Sequence, residues 1–301
     1  MRVDPFYVSN LVSALNQTQV NSQQLSQQLS SGIKFSQLSE DPVSAGQNVL
    51  LLSQIQQDDS FTQSASLVTG QLQVADSALG SVVSELTNAI TLATSANNGT
   101  MSASNVQSIG NQISGILAEV QSLANTSYQG RYIFAGGQTG TAPFTTATGS
   151  PSVTSYGGDS NVNSLRLPNG QEIQLNLPGD QIFLGAGTNS VFAALNALVA
   201  DYAGGSANTA QAVQDTAALN TALNYVSQQR VLLDNSMTQL SAASTAVGAE
   251  QTQLTAAQTD LMQADLPTIA TQLSLNQTQQ TALESVIAQL SSPSNSLFSK
   301  L

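Results

Sequence analysis

Residues 219–261 read LNTALNYVSQQRVLLDNSMTQLSAASTAVGAEQTQLTAAQTDL, and their spacing decides the fold. Small or apolar residues return in alternating steps of four and three: Leu219, Leu223, Val226, Leu233, Met237, Leu240, Ser244, Val247, Leu254 and Leu261. Arg230, Gln251 and Gln258 take the remaining seam positions. A seam sustained over so many heptads predicts a long helix packed lengthwise on others. After a break expected at Pro267 the rhythm resumes through Ile269, Leu273, Asn276, Gln280, Leu283, Ile287 and Leu290.

The other end of the chain mirrors this. Leu11, Leu15, Thr18, Ser22, Leu25 and Leu29 repeat the four-three step, with a polar pair in the middle as at Asn276 and Gln280. Polar seam residues weaken a coiled coil while fixing its register. The two terminal stripes are therefore expected to be weak helices suited to one another or to neighbouring subunits.

Between the stripes, Gly32 is expected to cap the first helix, and Asp41 followed by Pro42 to start the next. That helix continues through Leu79 and Leu86. A turn at Asn97-Asn98-Gly99 leads to a stripe that includes Ile113 and Val120. From Gly130 the texture becomes β-like and rich in Gly and Pro. Short strands are expected at Tyr132–Phe134, Ser152–Tyr156, Ser164–Leu167, Glu172–Leu177 and Gln181–Leu184, with a hairpin turn at Pro168-Asn169-Gly170, then a short helix from Val191 to Val199.

The expected fold is mainly α with a β-rich insert, an elongated antiparallel helical rod carrying a small knob. Five segments are expected: a terminal coiled-coil segment at 1–40, the first half of the helical rod at 41–130, the insert at 131–208, the second half of the rod at 209–266, and a second terminal segment at 267–301. The core within one subunit is assigned to Leu79, Leu86, Ile113, Val120, Leu223, Val226, Leu233, Leu240, Val247 and Leu254. Contacts between subunits are assigned to Leu11, Leu15, Leu25, Leu29, Ile269, Leu273, Leu283, Ile287, Leu290, Leu297 and Phe298.

Composition narrows the function. The 301 residues contain no His, no Cys and no Trp, which removes histidine-based triads, cysteine nucleophiles and the usual zinc sites. No catalytic, cofactor or metal residues are assigned, and no enzyme is expected. The adjacent acids Glu40-Asp41 and Asp58-Asp59 diverge on a helix rather than converge across a cleft, and the Gly-rich stretches at 136–140 and 185–187 lack the lysine of a phosphate loop. A formal net charge of -12, with six scattered bases, disfavours nucleic acid and anionic membranes as partners. The N-terminus lacks the pattern of a cleaved signal, so an exported chain is expected to leave by another route.

Two motifs carry a resemblance. Leu29-Ser30-Ser31-Gly32-Ile33-Lys34, followed by Asp41-Pro42-Val43-Ser44-Ala45-Gly46, resembles the N-terminal signature of the bacterial flagellin superfamily. Within it, Gly130-Arg131-Tyr132-Ile133-Phe134-Ala135-Gly136-Gly137 with Ala142-Pro143-Phe144, and the tail Ser296-Leu297-Phe298-Ser299-Lys300-Leu301, are similar to the hook–filament junction family. Met1-Arg2-Val3-Asp4-Pro5 departs by placing a proline where that family runs straight into helix. The resemblance implies a structural, self-assembling protein of the extracellular flagellum, exported unfolded by the flagellar type III apparatus. It also implies the first hook-associated protein, flagellin and a cytosolic export chaperone as partners, with no cofactor. A bulk filament subunit, and a carbohydrate-binding or enzymatic insert on the same scaffold, are the alternatives.

Overall fold

The computed structural model describes residues 7–35, 37, 39–146, 154–167, 170, 172–185, 190–206 and 209–291. Among the described residues six α-helices dominate: α1 (Tyr7–Ser31), α2 (Pro42–Ala96), α3 (Ala103–Ala124), α4 (Val191–Ala203), α5 (Ala210–Met262) and α6 (Leu266–Ser291). Three two-stranded antiparallel sheets join β1 (Ser127–Tyr128) to β2 (Arg131–Tyr132), β3 (Phe144–Thr146) to β4 (Thr154–Tyr156), and β5 (Ser164–Arg166) to β6 (Glu172–Gln174). The fold is thus mainly helical with small sheets confined to the middle of the chain. It divides into two compact units, one of Met1–Asp58 with Ala249–Leu301 and one of Asp59–Gly248.

In the unit of residues 59–248, one apolar core runs through α2, α3, α4 and α5. Leu79, Leu86, Ile113, Val120, Val226, Leu233, Leu240 and Val247 are buried, while Leu223 is half-buried. Small residues share the seam: Ala75, Ala78, Ala89, Ala93, Ala96 and Ala222 are also buried, which lets helix backbones approach closely. Arg230 is accommodated by turning its head out of the core. Its Nε donates to Oδ1 of Asp76 at 2.8 Å and its Nη2 to Oδ2 at 3.1 Å, a two-pronged pair from α5 to α2. At one end of this unit the Tyr202 hydroxyl donates to Oδ1 of Asn97 at 3.0 Å, and Nδ2 of Asn97 donates to Oγ1 of Thr216 at 3.1 Å. These bonds tie α4, the end of α2 and the start of α5 together without a charged group.

The insert is organised by aromatic rings. Phe144 stands 5.3 Å from Phe183, 5.1 Å from Phe192 and 5.1 Å from Tyr156, and Phe134 stands edge-on to Phe183 at 5.5 Å. Asn125, just after α3, accepts the Phe144 amide at 2.9 Å and donates to its carbonyl at 2.8 Å, imitating a strand partner. The backbone of Phe134 receives the Gly179 amide at 2.8 Å and the Tyr156 hydroxyl at 3.0 Å. Burial pushes that hydroxyl up to about 12. Gly136 has φ +64, and a Cβ there would overlap the carbonyl of Asp159. The motif from Gly130 to Phe144 is therefore a packing element of the insert.

Several expected boundaries shift. Of the expected Tyr132–Phe134 strand only Tyr132 lies in the hairpin strand, paired with Ser127; the Ile133 amide still donates to the Thr126 carbonyl at 3.1 Å, while the side chains of Ile133 and Phe134 are buried in the core. Gln181–Leu184 is not a strand; Asp180–Leu184 forms a π-helical turn, closed by the Gly185 amide on the Asp180 carbonyl at 3.0 Å, with Ile182 and Phe183 buried. A short apolar run such as Ile182-Phe183-Leu184 fits both spacings. The expected strands at Ser152–Tyr156, Ser164–Leu167 and Glu172–Leu177 shorten to three residues each among the described residues. Ser152, Pro168 and Asn169 lie outside the described residues. The helix from Val191 extends to Ala203 rather than Val199, since nothing between them interrupts it.

Candidate assembly interface

Among the described residues no three acidic side chains converge to hold a metal ion, and no helix is long and apolar enough to cross a membrane. Asp41 is a cap: it accepts the Ser44 hydroxyl at 2.6 Å and the Ser44 amide at 3.0 Å, which hold its carboxyl below the usual range.

The distinctive feature is the pairing of α1 and α6, both in the unit formed by the chain ends. Four-three spacing places one stripe of each helix against the other. Leu11, Leu15, Ser22 and Leu25 of α1 are half-buried and Thr18 is buried; Leu273, Asn276, Gln280, Leu283 and Ile287 of α6 are half-buried and Ile269 is buried. Leu29 remains 38% exposed. Leu290 belongs to α6, but its side chain, like Leu297 and Phe298, lies outside the described residues. Leu254, assigned above to the rod core, is half-buried in this same terminal unit. The assigned seam residues therefore meet first within one chain.

This pairing is weak by construction. Thr18 turns its hydroxyl back to the Ala14 carbonyl at 2.8 Å, and the buried Ser22 hydroxyl finds no hydrogen-bond partner among the described residues. An unsatisfied buried hydroxyl costs about 1–3 kcal/mol. Half-buried leucines recover less apolar stabilisation than the fully buried ones of the larger unit.

Register is set where both helices connect to the rest of the unit. Gly32 leaves α1 with φ +70. Ile33 then forms an antiparallel bridge with Gln263, the Lys34 amide donating to the Met262 carbonyl at 2.7 Å and the Ala264 amide to the Gly32 carbonyl at 3.0 Å. Gln28 closes the corner by donating to the Lys34 carbonyl at 2.6 Å. On the other side Asp265 accepts the Thr268 hydroxyl at 2.7 Å and its amide at 3.3 Å, capping α6. The break expected at Pro267 thus falls earlier, at residues 263–265. Pro267 lies inside the first turn of α6, where a missing N–H costs nothing. Heptad reasoning missed this bridge; the signals for it were Gly32 and the Asp265-x-x-Thr268 cap pattern.

A helical pair formed from both chain ends and closed by a backbone bridge, in a chain whose other compact unit is helical with a small β-containing insert, defines a mainly helical rod-type scaffold. Comparison with known proteins agrees. Residues 7–139 match the family model of the bacterial flagellin N-terminal helical region, and residues 216–301 that of the C-terminal helical region. Flagellar hook-associated protein 3 of Salmonella typhimurium is 30% identical over 186 residues, covering 62% of this chain and 57% of that protein. The Escherichia coli protein of the same name is 28% identical over 280 residues, covering 86% of each. Among solved structures, a protein described as a flagellar hook-associated protein from Vibrio parahaemolyticus covers 74% of this chain and 100% of its own, at 18% identity and TM-score 0.67. The flagellar junction protein FlgL of Legionella pneumophila covers 72% and 99%, at 14% identity and TM-score 0.58. The chain belongs to the flagellin superfamily and, within it, to the hook-associated protein 3 (FlgL) family.

Proposed function

We propose that this chain is a structural subunit of the bacterial flagellum that assembles with copies of itself into the junction zone between hook and filament. The observation that carries the reading is the terminal pair α1–α6, a coiled coil interrupted by Thr18, Ser22, Asn276 and Gln280 on the family's own scaffold. A pair with so much polar seam gains stability when neighbouring copies bury it, so folding of the chain ends couples to assembly. Absence of cysteine suits export in an unfolded state. In this reading five segments take three roles: segments 1–40 and 267–301 assemble, segments 41–130 and 209–266 form the helical support, and 131–208 is the variable insert. The first hook-associated protein is the neighbour on the hook side and flagellin on the filament side. An export chaperone covers the C-terminal helix beforehand. No chemical step is assigned to the chain.

Deletion of the gene tests this. The reading predicts intact hooks, no filaments, and flagellin released into the medium. Normal filaments on the deletion strain, or hooks without released flagellin, contradict it.

A further inference from the structure

The terminal pair exposes two further stripes that its own pairing does not use. On α6, Leu275, Gln279, Ala282 and Val286 repeat the four-three step about a third of a turn away from the stripe that meets α1, and all are exposed, Leu275 by 59%. On α1, Val12, Asn16, Gln19, Gln23, Ser26 and Ser30 do the same, again exposed, Val12 by 42%. At 100° per residue these two stripes lie on opposite flanks of the pair. The flank carrying Leu275 is concave: a groove of about 480 Å³ is lined there by Asn21, Gln24 and Gln28 of α1 and by Gln272, Leu275 and Gln279 of α6.

We infer that this groove receives α1 of a second copy of the chain, whose Val12–Gln23 stripe docks on Leu275, Gln279, Ala282 and Val286. The inference rests on the assembly reading above and assigns the surfaces it uses.

Three observations select a second copy as the occupant. The chain carries a net charge of -12, yet α1 has no charged residue and α6 only Glu284, so this is where two copies approach without mutual repulsion. The groove is also continuous with the existing α1–α6 contact, so the docked helix meets both helices at once. Finally, the spacings mesh. Copies related by rotation about an assembly axis keep their chain directions, so α6 of one runs antiparallel to α1 of the next, as it does to its own. Val12 then stands level with Val286, Asn16 with Ala282, Gln19 with Gln279 and Gln23 with Leu275. Gln19 and Gln279 can then hydrogen-bond to one another through their side-chain amides, and Val12 packs on Val286 at one end.

Because the two surfaces are different and face opposite ways, the contact is head-to-tail. Such contacts generate rings or helical tubes, not closed two-fold dimers.

The chain has no cysteine, so introduced thiols report unambiguously. The full-length double variant Gln19→Cys with Gln279→Cys is expressed in place of the native gene, and sheared flagella are oxidised and run without reductant. A ladder of dimers, trimers and higher species is expected, with monomers only from either single variant. Dimers from Gln279→Cys alone would mean a two-fold contact and overturn the inference. Monomers only from the double variant, when the unsubstituted protein is present in flagella, would overturn it while leaving the junction reading intact. Absence of the unsubstituted protein from flagella would overturn both. A Gln279→Glu and Leu275→Glu variant adds an independent readout: secretion into the medium is retained, and incorporation falls at least tenfold. Normal incorporation of that variant would count against the groove.

Discussion

Ile33 and Gln263 face each other as an antiparallel backbone bridge, joining the segment that leaves α1 to the segment that enters α6. Two amide–carbonyl bonds on either side, of 2.7 and 3.0 Å, fix how the terminal helices align. One such bond contributes about 1 kcal/mol net, a large fraction of what a half-polar helix pair can hold.

Gly32→Ala tests that bridge. The position has φ +70 and open space around it, so the cost is backbone strain alone, about 1–2 kcal/mol for a side chain in the left-handed region. Amide exchange of residues 7–31 and 266–291 is expected to accelerate about tenfold, while Ile113, Val120 and Leu240 keep their protection. Unchanged exchange in the terminal helices would remove the bridge from the account.

Gly136→Ala acts on the insert. Both the positive φ and the overlap with Asp159 oppose a Cβ. A loss above about 2 kcal/mol is expected, seen as a weakened near-ultraviolet signal from the tyrosines with helical circular dichroism retained. A fully native signal would mean that Asp159 moves freely.

Arg230 and Asp76 are partly exposed, by 33% and 25% at their side chains, so their geometry overstates their energy. A double-mutant cycle with Arg230→Met and Asp76→Asn is expected to give a coupling of about 1 kcal/mol or less that shrinks with added salt. A coupling of several kcal/mol would show that the pair behaves as a buried one.

Stability also carries a pH signature. Burial, a hydrogen bond with Asp215 and that residue's charge push Asp201 up to about 6. The native state then binds more protons than the unfolded chain between about pH 4 and 6. Stability supplied by protonated Asp201 is lost as pH rises through that window. Asp159 behaves oppositely: the amides of Gly137 and Asn161 lower its pKa, and its contribution is lost on acidification below about pH 4. Asp201→Asn is expected to raise the melting temperature at pH 7 and flatten its dependence between pH 4 and 6. A steeper dependence in the variant would contradict the assignment.

Much of this molecule is legible in its sequence. The four-three steps from Leu11 and from Leu219 foretell the long helices and the residues that turn inward, because helical period and burial are local in the chain. Gly32, Asp41-Pro42 and Asn97-Asn98-Gly99 mark helix ends through backbone chemistry that needs no tertiary context. The insert reads less well. Asp180–Leu184 curls into a π-helical turn because Phe183 must reach Phe134, Phe144 and Phe192, and those rings come from three distant segments. The pairing of Arg230 with Asp76, 154 positions apart, is likewise invisible to spacing. Which stripe of each terminal helix stays in the chain and which faces outward depends on the bridge at Ile33 and Gln263, a contact between residues that no heptad includes.

Immunogold labelling of intact flagella tests the central claim most directly. With an antibody against the insert, the account predicts one narrow band at the hook end of each filament and none beyond it. Label along the whole filament would make the chain a bulk filament subunit and contradict the junction reading.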